Sequence, residues 1–156
     1  MVRVGFSTSE HFISRLIRKL TRSKASHTFF IFYDETLAET MVMDAHFGGY
    51  RTLPLHNFGG KIIADIELKQ CGEEAVKAAA QWLGAGYDTK ALIGGLKVVI
   101  GRWFKRKWKN PWNDARKLMC SEAVTKALIA ANYPGADKLT PEDTTPQDLL
   151  DFLQAA

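Results

Sequence analysis

The first part of the chain reads mainly as short apolar segments of strand character, and from about residue 72 the pattern becomes helical. In VRVGFST at 2–8, Val2, Val4 and Phe6 alternate with polar or small neighbours, the period of a half-buried strand. HTFFIFY at 27–33 is aromatic and β-branched and predicts a second strand. ETMVMDAHF at 39–47 predicts a third, paired with the second as a hairpin across a turn of about five residues that starts at Asp34 and Glu35. GGYRTLPL follows and is given no element, and KIIADIEL at 61–68 predicts another strand. Between the first two strands Ser9 can cap a helix from Glu10, with Phe12, Ile13, Leu16, Ile17 and Leu20 on one face. Arg15, Arg18, Lys19 and Arg22 fall on the other side.

GEEAVKAAAQWLG at 72–84 is rich in helix formers and acidic in its first turn. SEAVTKALIAANYPG at 121–135 predicts a helix that ends near Asn132, with Pro134 and Gly135 as stop signals. TTPQDLLDFLQ at 144–154 predicts a short last helix, capped by Thr145 with Pro146 in its first turn. The stretch 86–115 is the least regular. Strands come first and helices later, so the expected class is α+β: a small antiparallel sheet, drawn mainly from residues 2–68, packed against helices. Residues 1–156 are expected to form one domain, since no linker, repeat or low-complexity tract interrupts them.

Composition narrows this picture only a little. Apolar residues are 46% and charged residues 24%, ordinary for a globular core, and the net charge of +4 permits an anionic partner without requiring one. Cys71 and Cys120 are far apart with no CxxC pair, which argues against zinc and thioredoxin-type sites. Their spacing gives no support to a disulfide, and a reducing compartment is the default. Met1–Phe12 lacks a secretory pattern, and the mostly apolar run at 91–101 is too short and too interrupted to cross a bilayer. The expected location is cytoplasmic, or exported without a Sec signal, with a peripheral membrane contact as the variant.

The chemistry-bearing residues gather around Cys120. It precedes Ser121 and Glu122 at the head of a helix whose apolar face runs through Val124, Ala127, Leu128 and Ala131. Unpaired N–H groups and the positive helix end favour a thiolate there, and can also hold an oxyanion. Taken alone, Cys120 reads more simply as a small core residue. His27, opening the aromatic strand, is the candidate base, although alone it reads as an ordinary strand-end histidine. On the next strand Asp44 and His46 share a face with Val42, so either can orient the imidazole. His11 and His56 stand outside this group, and the four histidines lack metal-ligand spacing, so no metal or other cofactor is expected.

With these residues in place, the chain resembles the circularly permuted papain-like proteins related to NlpC-type cell-wall peptidases. That group includes the YiiX/YaeF-like amidases and, more widely, lecithin:retinol acyltransferase. The resemblance rests on SHTFFIF at 26–32, MVMDAHFGGYR at 41–51, GYDTKALIGG at 86–95, MCSEAVTKAL at 119–128 and TPQDLL at 145–150, in that order over nearly the whole chain. It implies Cys120 as nucleophile and His27 as general base, with Asp44 in the third position and His46 as the alternative. It also implies a place for Tyr87 near the site, toward the oxyanion or substrate. Family members often carry small residues after the histidine; here Thr28, Phe29 and Phe30 follow.

The implied activity is that of a cysteine hydrolase, an amidase or peptidase, cleaving an amide or related acyl bond through a thioester on Cys120. Substrates would be peptide, cell-wall, or acylated amide or ester compounds. The alternatives are a lipid acyltransferase at a membrane, or a non-catalytic binding module on the same fold. A basic–aromatic segment at 101–117 bears on that choice, with Trp103, Phe104, Trp108 and Trp112 among seven Lys and Arg residues. Trp103, Lys105, Arg106, Lys107 and Trp108 suit an anionic membrane surface. A surface helix packed on the core is the plainer reading, a lid over an acidic substrate is another, and nucleic acid is disfavoured because no recognised module is present.

Overall fold

The computed structural model describes residues 1–9, 14–15, 18–19, 23–46, 48–87, 117–118 and 120–156. The N-terminal half builds a five-stranded sheet from β1 (Val2–Thr8), β2 (His27–Asp34), β3 (Glu39–His46), β4 (Gly49–Pro54) and β5 (Lys61–Glu67). The spatial order is β4-β3-β2-β1-β5, and every neighbouring pair is antiparallel. Val4, Phe30 and Met43 stand side by side across three strands and form the sheet's part of the main core. On the opposite face Phe29, Ile31 and Val42 make a second, smaller core under Leu53, Leu55 and Phe58. The middle of β2 is therefore covered on both faces, which is why its sequence is a continuous apolar run rather than an alternation.

β4 is a strand that the sequence pattern did not reveal, because Gly48, Gly49 and Pro54 read as punctuation. The β3–β4 hairpin closes with only two residues between His46 and Gly49, and Pro54 is tolerated because it ends the strand opposite Met41. The β2–β3 connection is also tighter than expected, four residues from Glu35 to Ala38. Asp34 Oδ1 accepts the N–H groups of Thr36 and Leu37 at 2.9 and 3.0 Å, an Asx-type turn. Of the helix expected after Ser9, the positions Ser14, Arg15, Arg18 and Lys19 are helical; the five residues of its apolar face lie outside the described residues.

Three helices follow, α1 (Gly72–Ala80), α2 (Cys120–Ala130) and α3 (Pro146–Ala155). α1 stops four residues before its expected end. The N–H groups of Trp82 and Leu83 turn to carbonyls three residues back, and Gly84, at φ 84°, leads the chain onto the edge of β4. There Tyr50 N–H bonds the Ala85 carbonyl at 2.7 Å and Gly84 N–H bonds the Tyr50 carbonyl at 2.8 Å. α2 is the central helix. Residues Cys120 to Thr125 are all buried, with α1 and β2 as main neighbours. Fully buried Val124 and Leu128 contribute about 1.5–3 kcal/mol each by leaving water. α2 closes where Asn132 turns left-handed at φ 55°, as its stop signals predict. α3 carries a full capping box, Thr145 Oγ1 accepting from Asp148 N–H and Asp148 Oδ2 accepting from Thr145 N–H.

Two short parallel strands, β6 (Gly86–Tyr87) and β7 (Lys117–Leu118), pair with each other. They bring the start of α2 back beside the end of α1's turn. Among the described residues no helix is long and apolar enough to cross a membrane. Both cysteines are free thiols.

Candidate active site

His27 is the first residue of β2, and the chain just before it is tied down at several points. Ser26 N–H bonds the Ser7 carbonyl at 3.0 Å, and Ser26 Oγ lies 2.6 Å from Ser14 Oγ. Gln147, from the TPQDLL stretch, accepts from Lys24 N–H at 3.1 Å and from Ser23 Oγ at 3.2 Å. A distant motif at the end of the chain thus fixes where the histidine strand begins.

The His27 imidazole reaches β3. Its Nε2 lies 3.3 Å from Asp44 Oδ2, in a buried carboxylate that is only 2% exposed. The other oxygen, Oδ1, accepts from Arg51 Nε at 2.9 Å. Arg51 stands directly opposite Asp44 in the β3–β4 ladder, so the pair follows from the hairpin register. A buried carboxylate is costly unless both oxygens find partners, and here both do. Burial pushes the Asp44 pKa up, but the bonds and charges of His27 and Arg51 outweigh it and hold the carboxyl below its usual range.

Cys120 opens α2 and is buried. Burial disfavours its thiolate. Against this stand a hydrogen bond and the charge of His27, together with the backbone N–H groups of Thr28 and Ser121, and the net effect lowers the thiol pKa. Burial also disfavours the His27 cation, yet Asp44 and Cys120 together push its pKa up to about 9. Both shifts favour the same proton position: thiolate on Cys120, imidazolium on His27. The two groups titrate as one coupled pair.

Three of the expected site residues, Cys120, His27 and Asp44, therefore lie together. His46, on the same face of β3, ends the strand at the exposed side, where its Nδ1 accepts from Gly48 N–H at 3.4 Å. Tyr87 lies in β6 and its backbone pairs with Leu118, two residues before Cys120; its side chain lies outside the described residues. His11 and the segment with Trp103, Lys105, Arg106, Lys107 and Trp108 also lie outside them. His56 is exposed, its Nδ1 3.7 Å from the Glu39 carboxylate. Among the described residues no three His, Cys, Asp or Glu side chains converge as a metal site.

Sequence reading missed Arg51 and Tyr50, since the stretch holding them was assigned no element. Recognising the short hairpin would have placed Arg51 opposite Asp44. Tyr50 is 3% exposed and packs edge-on against Trp82. Burial, and secondarily the Asp44 charge, keep its phenol protonated, and its hydroxyl has no hydrogen-bond partner among the described residues. No protein-family model matches the chain, and no curated protein matches it at a significant level.

Proposed function

We propose that this protein is a thiol hydrolase of amidase or peptidase type, on a permuted papain-like fold, acting through an acyl thioester on Cys120. The observation that carries the reading is the line Cys120–His27–Asp44, in which a thiol at a helix N-terminus faces an imidazole held from behind by a buried carboxylate. The chain order, with the histidine strand before the cysteine helix, supports the permuted arrangement.

In the proposed reaction the Cys120 thiolate attacks the carbonyl carbon and the carbonyl electron pair moves to oxygen. Backbone N–H groups at the start of α2 stabilise that charge. As the intermediate collapses, His27 gives its proton to the departing amine or alcohol and a thioester remains. Water then attacks the thioester, His27 takes its proton, and the acid leaves as thiolate and imidazolium are restored. Asp44 keeps the imidazole oriented and its cation stabilised throughout. An acceptor other than water would make the same chemistry an acyl transfer.

Labelling with iodoacetamide across pH, located by peptide mapping, tests the first half of this scheme. Cys120 should react well below pH 7, and that reactivity should fall sharply in His27→Ala. Equal, sluggish labelling of Cys71 and Cys120 in the folded protein would sink the nucleophile assignment. A panel of amide, ester and muropeptide substrates, with Cys120→Ala as the blank, then identifies the acyl group. Turnover should fall above pH 9 as the His27 proton is lost.

A further inference from the structure

One flank of the His27 imidazole is built from apolar surface, the rings of Phe29 and Phe58. Phe58 follows the short turn Leu55–Asn57, its N–H bonded to the Leu55 carbonyl at 3.0 Å. Its ring lies nearly parallel to the His27 imidazole, at 13° and 6.3 Å between centroids, and packs on Phe29 at 4.4 Å. The seat for that ring depends on Gly60. A Cβ there would stand 2.7 Å from Phe58 Cε1 and 3.0 Å from Ser7 Oγ, so any larger residue would displace the ring. Phe58 nonetheless remains partly exposed.

The same row of the sheet extends this surface. Ser7 pairs with His27 on one side and with Ile62 on the other. Two strand spacings separate the imidazole from Ile62, about 10 Å. Ser7 is buried, while Ile62 on the edge strand is 37% exposed. A charged group resting on the Phe58 and Ile62 side chains would lose hydration against apolar surface, whereas an apolar one would gain by leaving water.

We propose that the site selects substrates with an apolar side chain or short acyl group beside the scissile bond, and that Phe58, extended by Ile62, is the wall that group lies against. The proposal rests on the acyl-transfer reading of Cys120 and His27. Phe58 is then a specificity-determining residue, in addition to capping the small core around Phe29.

Two probes with the same warhead test it on the full chain: iodoacetamide and N-benzyl iodoacetamide, with rates read separately at Cys120 and Cys71. The benzyl probe should label Cys120 about tenfold faster than the plain one, the factor expected from burying one face of a phenyl group. Cys71 should show no such preference. Ile62→Ser, a surface change that leaves the core intact, should reduce the preference about threefold through lost apolar contact. Phe58→Ala should abolish it, and Phe58→Leu, which keeps the small core filled, should retain part of it. Equal rates for both probes at a reactive Cys120, or a preference unchanged in Ile62→Ser and Phe58→Ala, would overturn the wall while leaving the nucleophile standing. Failure of both probes to label Cys120 would overturn both the wall and the nucleophile.

Discussion

Cys71 and Cys120 are the same residue at comparable places, the N-cap of α1 and the first residue of α2, and both are free thiols. Their surroundings differ. Cys71 caps α1 in a left-handed conformation, φ 56°, and lies half-buried against the apolar core beside Tyr133. Cys120 meets an imidazole and two backbone N–H groups, one from its own helix and one from β2. A helix N-terminus favours a thiolate only modestly. What separates the two cysteines is the neighbouring strand, which presents His27 with Asp44 and Arg51 behind it.

The largest test of that contrast is deletion of each thiol. Cys120→Ala should lower kcat/KM on any identified substrate by at least about 10³-fold, whereas Cys71→Ala should leave it within about threefold. Next is His27→Ala, which should slow labelling of Cys120 below pH 7 by about 10²-fold and leave Cys71 unchanged, since only Cys120 owes its thiolate to the imidazole.

Asp44→Asn should cost about tenfold or more in kcat and move the fall in activity from about pH 9 downward, because the amide no longer supports the His27 cation. The same residue makes a separate prediction for stability. Its folded pKa is depressed, so the stabilisation is present above the unfolded carboxyl value and is lost as pH falls through the folded one. Acid denaturation of the wild type below about pH 4 should include a component that Asp44→Asn lacks, read by circular dichroism against pH.

Arg51→Gln should have the smallest effect, about threefold in kcat, because the guanidinium is 42% exposed and water screens its charge. Its signature is a shift of the acid limb of the pH–rate profile toward higher pH, with Arg51→Lys restoring part of it. An unchanged acid limb would show that Asp44 needs only His27.

Much of the architecture was legible because it rests on local chemistry. Alternation marked β1, the aromatic run marked β2, and β3 and β5 read as strands from their own apolar segments. The cap at Thr145 and the stop after Asn132 were visible because each uses residues a few positions apart. β4 was not visible, since its Gly and Pro residues are turn formers and its strand character comes from pairing with β3. The early end of α1 was hidden for a related reason: hydrogen bonds to the edge of β4 draw the turn away from the helix axis.

The candidate site divides the same way. The composition of the Cys120 helix head and the position of His27 at a strand start were both readable as local features. Strand alternation alone left Asp44 and His46 equivalent, because both face the same side of β3. Burial at one position and exposure at the other separate them, and the hairpin register supplies Arg51 as the second partner of Asp44. Local sequence sets which groups are available and which way each side chain points along its own element. Whether a thiol 93 residues from an imidazole feels its charge depends on distances across the sheet and helix layers, which no local pattern encodes.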